Sequence, residues 1–132
     1  MKCRARRGAN AVEFALTLPI LLAILSGVVD YSYLLHLQFQ MVNAVSQGAR
    51  AGSATNLDAD PYAIAVQVVN EVWTHSGFTT NPTVTASAFT LPTTGDLAVQ
   101  VVATVPYDPL VGFLPTPSTI AHTAIMRLDD QP

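Results

Sequence analysis

Glu13 is the residue whose chemistry most needs a reason. It is the one charged side chain in the 19-residue run from Ala11 to Val29. A carboxylate at the centre of an apolar helix costs on the order of 2.5–3.5 kcal/mol, and less near an interface. The cost falls if the acid meets a cation. A small residue, Gly8, stands at the junction between the basic segment MKCRARR and the apolar run and offers a processing site. No other reactive side chains form a comparable set. His36, His75 and His122 are scattered without ligand spacing, and Cys3 is the single cysteine, so no disulfide can form within the chain. Asp58 and Asp60 read as turn and cap residues. The chain has no P-loop, nucleotide fingerprint or nucleophile elbow. Catalysis, a metal and a cofactor are therefore not expected.

The element that must hold Glu13 is the apolar run itself. As a helix, 19 residues span roughly 28 Å, close to the hydrocarbon thickness of a bilayer. A buried core helix is the alternative, but the rest of a 132-residue chain is too small to wrap such a helix on all sides. A secretory signal peptide also begins with basic residues and an apolar core. It would be followed by a small-x-small cleavage pattern, whereas Val29 is followed by DYSYLL, which continues as helix. A membrane span is expected. Of six Lys and Arg, Lys2, Arg4, Arg6 and Arg7 precede the run and Arg50 and Arg127 follow it. The positive-inside rule keeps the N-terminus cytoplasmic and exports the remainder. Loss of residues 1–8 would leave two basic against nine acidic side chains, a formal charge of −7. Such a sparse, acidic surface offers nucleic acid no basic patch.

The basic segment, the Gly8–Ala9 junction and Glu13 five residues past it resemble the processing motif of type IV prepilins. A more specific resemblance is to TadE-like minor pseudopilins of tight-adherence (Flp-type) pilus systems. It is carried by Arg7-Gly8, Ala11-Val12-Glu13-Phe14-Ala15-Leu16, Pro19, Leu21-Leu22, Gly27, Asp30 and Gly48-Ala49-Arg50. The resemblance covers about the first 50 residues. It implies cleavage after Gly8 by a prepilin peptidase in the inner (cytoplasmic) membrane and a pilin-like fold. Cleavage there would create an α-amino group on Ala9, four residues before Glu13 and on the same helical face. The resemblance implies pairing of Glu13 with that amine of a neighbouring subunit, and partners among other pilin or pseudopilin subunits and the inner-membrane assembly machinery. Pro19 lacks the N–H that would bond the Ala15 carbonyl, so a kink or loosening is expected there. In related filaments a loosened segment lets the helix extend during packing.

Beyond the span the helical pattern continues. Leu34, Leu35, Met41, Val42, Val45 and Ala49 gather on one face, with Ser32, His36, Gln40, Asn43, Gln47 and Arg50 opposite and Gln38 out of place. The stretch Gly52–Asn56 is the expected stop, giving one helix of about 45 residues. Gly48 and Gly52 favour close internal packing over a dimer motif. A second helix begins at Asp60 and Pro61 and ends near Gly77, with Tyr62, Ala65, Val66, Val69, Val72 and Trp73 on its apolar face. Trp73 reads as core rather than as a ligand platform. The period then changes to two. Residues 83–90, 97–105 and 119–128 read as strands, the first two joined by a turn at Thr93–Asp96. Leu97, Val99, Val101, Ala103 and Val105 share one side of the second strand, and Ile120, Ala124, Met126 and Leu128 one side of the third. An antiparallel meander with helices on one face makes an α+β fold.

The segment 106–118, PYDPLVGFLPTPS, sets Leu110, Val111, Phe113 and Leu114 among four prolines. It either presents a partner-contact patch or folds back over an open edge of the core. The expected organisation is a leader at 1–8, a transmembrane helix at 9–29 and an exported α+β domain at 30–132. Two functions of different class follow. One is a minor structural subunit of a thin pilus, acting in assembly or adhesion. The other is an unprocessed single-pass membrane protein whose exported domain binds a ligand or partner.

Overall fold

The computed structural model describes residues 4–55 and 59–128, with side chains from Asn10 onward. Lys2, Cys3, Asn56, Asp58 and the tail 129–132 lie outside the described residues, as do the side chains of Arg4, Arg6, Arg7 and Ala9. The elements run α1 (Arg4–Ser53), α2 (Pro61–His75), β1 (Thr83–Thr90), β2 (Leu97–Pro106) and β3 (Thr119–Arg127). This is the α+β order read from the sequence. The chain divides into two compact units, Met1–Leu34 with Asp108–Thr116, and Leu35–Tyr107 with Pro117–Pro132.

In the first unit, the part of α1 from Asn10 turns its large apolar side chains outward. Phe14, Leu16, Ile20 and Ile24 are each about 60% exposed or more. Only 6% of its most apolar window is buried, which is the reverse of a core helix. The helix is long and apolar enough to cross a membrane. Further along, Ser26, Gly27 and Asp30 recur at helical spacing and are buried. The segment Asp108–Thr116 is the other part of this unit.

The second unit is built on a three-stranded antiparallel sheet of order β1-β2-β3. In the central strand Val101 pairs with Ala86 on one side and Ala124 on the other. Val99, Val101, Ala103 and Val105 are buried on one face, as the alternation demands. Ile120 in β3 and Leu128, just past its end, are also buried. Leu97, expected with them, is 53% exposed: it opens the strand opposite Thr90, where β1 ends. The β1–β2 turn is closed by Leu91 N–H to the Asp96 carbonyl and Gly95 N–H to the Leu91 carbonyl. An exposed ion pair, Asp96–Arg127 at 3.4 Å, lies at this end.

Helix α2 forms for local reasons. The Asp60 carboxylate accepts from the N–H groups of Tyr62 and Ala63, and Pro61 supplies a preset φ at the first position. Gly77, at φ +80°, ends it in a conformation that side chains disfavour. Its valines are poor helix formers, so burial of Ala65, Val69 and Trp73 must hold it. Trp73 is core, as expected: it is 1% exposed, its ring lies 5.2 Å from Phe78, and its indole N–H donates to the Thr80 carbonyl.

The part of α1 in this unit buries Leu37, Met41, Ala44, Val45 and Ala49. That face is rotated from the expected one. Leu35 and Val42 are 63% and 41% exposed, and Leu37 stands in their place. The 3-4 spacing from Leu37 through Met41 to Ala44 and Val45 selects the contact, and Leu35 falls at its margin. Gly48 and Gly52 receive α2 closely. A Cβ on Gly48 would lie 2.7 Å from the Ala65 carbonyl oxygen, and one on Gly52 would lie 2.8 Å from that of Pro61. The glycine pair is therefore an internal packing device.

Candidate functional site

The functional candidates lie along the first unit. Gly8 and Ala9 fall within the backbone of α1. Glu13 follows on its exposed surface and makes no ion pair among the described residues. Thr17, one turn on, donates its hydroxyl to the carbonyls of Glu13 and Phe14, each at 3.1 Å. A hydroxyl in an apolar run is thus satisfied by its own helix. Pro19 sits inside α1, which remains helical across it. Chemistry still removes one donor there, leaving the Ala15 carbonyl without its usual N–H.

Asp30 lies 17 residues beyond Glu13, about 25 Å along the helix. It is 0% exposed. One carboxylate oxygen accepts from the Val111 N–H at 2.8 Å and the other from the Gly112 N–H at 3.0 Å. Two charge-assisted bonds from consecutive amides seat the loop on the helix. Gly112 adopts φ +70°, a region open to glycine at little cost. The Tyr31 hydroxyl adds a bond to the Pro115 carbonyl at 3.0 Å. Gly27 makes room for the loop: a Cβ there would stand 2.5 Å from Leu114 Cδ1.

The loop therefore folds back onto α1. Leu114 is half-buried by this contact, whereas Leu110, Val111 and Phe113 are 63%, 57% and 69% exposed. A cleft of about 500 Å³ follows the same side of the helix, lined by Pro19, Leu22, Ser26, Val29, Val111 and Phe113 among others. Ser26 Oγ is its buried hydroxyl and has no hydrogen-bond partner among the described residues.

Asp30 entered the sequence reading only as a member of a motif, without a role. The available signal was an acid at the end of an apolar run together with a glycine between prolines about 80 residues away. Neither is informative until the chain is folded. The histidines stay apart. His36 stacks obliquely near Phe78, His75 Nδ1 lies 2.7 Å from the Glu71 carbonyl, and His122 borders a small hollow with Gln38 and Val42. Among the described residues no three His, Cys, Asp or Glu side chains are placed to hold a metal ion.

These features define a class: a chain with one outward-facing apolar helix, long enough to cross a membrane, leading into an α+β unit. Residues 8–50 match the family model described as TadE-like protein. The match takes in Gly8, Glu13, Pro19, Asp30 and Gly48-Ala49-Arg50. No curated protein and no solved structure matches the chain.

Proposed function

We propose that this chain is a minor pilin-like subunit of a tight-adherence pilus, acting in its assembly or in adhesion. A prepilin peptidase cuts it after Gly8. The single observation that carries the reading is the TadE-like match over residues 8–50, which takes in both the junction and the acid. Residues 9–29 span the inner membrane with the N-terminus in the cytoplasm, and residues 30–132 are exported, the orientation favoured by four basic side chains ahead of the span. Cleavage supplies the Ala9 α-amino group, and Glu13 pairs with that group on a neighbouring subunit, fixing axial register. The loss of one helical bond at Pro19 lets the helix adjust as it packs. An exposed stripe of Leu35, Phe39 and Val42 offers lateral contact to other subunits or the assembly machinery.

Co-purification with sheared filaments tests this. Replacement of Glu13 by Gln removes the charge and keeps the shape. The variant should be made, inserted and processed, yet be lost from filaments. Normal incorporation of that variant would remove the electrostatic register from the account.

A further inference from the structure

We propose that the tip of the loop, Pro109–Pro115, is a second membrane contact, lying at the headgroup–acyl boundary of the outer leaflet beside the span. The inference rests on α1 crossing the bilayer. The run PLVGFLP contains no charged side chain and no polar one. Its bulkiest members point away from the protein, with Leu110, Val111 and Phe113 all more than half exposed. Three large apolar side chains on one short loop are costly in water, at roughly 25 cal/mol per Å² of apolar surface. In lipid they are at no disadvantage.

Irregular backbone tolerates an apolar phase only where its polar groups are satisfied within the protein. Here Pro109 and Pro115 carry no N–H, and the N–H groups of Val111 and Gly112 are both taken by the Asp30 carboxylate. Those of Leu110, Phe113 and Leu114 make no hydrogen bond among the described residues and need the water and headgroups of the boundary, which keeps the loop at the top of the acyl region. The Pro115 carbonyl accepts from Tyr31, a residue type that favours the membrane interface. Asp30 itself is fully buried, so its charge is shielded from the surroundings by the loop it holds. The cleft against Leu22 and Val29 joins Val111 and Phe113 to the exposed apolar face of the helix, giving one continuous surface. A protein partner is the competing occupant. The uncharged run and its continuity with the lipid-facing helix favour the bilayer.

The test uses the full chain with Cys3→Ser, reconstituted in phosphatidylcholine vesicles. An environment-sensitive fluorophore is attached at Leu110→Cys or Phe113→Cys, both exposed positions that labelling leaves intact. Leu21→Cys serves as the mid-span control and Thr94→Cys, in the β1–β2 turn, as the aqueous one. Lipids brominated high on the acyl chain should quench positions 110 and 113, lipids brominated near the chain end should quench position 21, and both should leave position 94 bright. Quenching at 21 but not at 110 or 113 overturns the proposal and leaves the span intact. Absence of quenching at 21 overturns the span and the proposal with it.

Discussion

Asp30 and Glu13 are both acids on an apolar helix, and their surroundings give them different work. Glu13 is exposed on the helix surface, open to a partner that cleavage would create. Asp30 is enclosed and already committed to two amides of the loop. Asp30→Ala would leave both donors unpaired at a cost of about 1–3 kcal/mol each. The loop should detach, and amide exchange at Val111 and Gly112 should accelerate by orders of magnitude in the full chain. Asp30→Asn keeps one acceptor oxygen and should fall between. Unchanged protection in Asp30→Ala would show that the carboxylate does not hold the loop. Gly27 belongs to the same contact, since a side chain there would strike Leu114.

Among the elements, α2 and the strands were the most legible. Asp60, Pro61 and Gly77 act within a turn of their own position, and the alternation from Val99 to Val105 is likewise short-range. Leu35 and Leu37 were not separable in this way, because which edge of a helical stripe is covered depends on what packs there. The loop was the hardest. Its apolar content was visible, but its destination rests on hydrogen bonds 81 and 82 residues apart in sequence. The approach of α2 to α1 yields a prediction at this scale. Gly48→Val would drive a side chain into the Ala65 carbonyl and Val69, neither of which can withdraw without moving α2. Overpacking of this kind costs about 1–3 kcal/mol. The near-UV signal of Trp73 should melt several degrees lower in the variant, with the far-UV helix signal less affected. A melt identical to that of the parent chain would mean that the contact is looser than described.

For the molecule as a whole, the distribution of charge and apolar surface decides what the chain is for. Basic residues cluster ahead of the apolar helix, and the acidic balance follows it. A junction of this kind is informative because proteolysis would change its chemistry, removing four positive side chains and exposing one amine beside Glu13. The junction was legible in the sequence because its meaning lies in order and spacing. The Asp30 contact was not, because it exists only in three dimensions. The intact mass of the chain recovered from membranes tests the central claim most directly, when cells that make the cognate peptidase are compared with cells that lack it. The account expects a mature form beginning at Ala9 in the first and a chain retaining Gly8 in the second. A membrane-inserted chain that keeps Gly8 in both would contradict it.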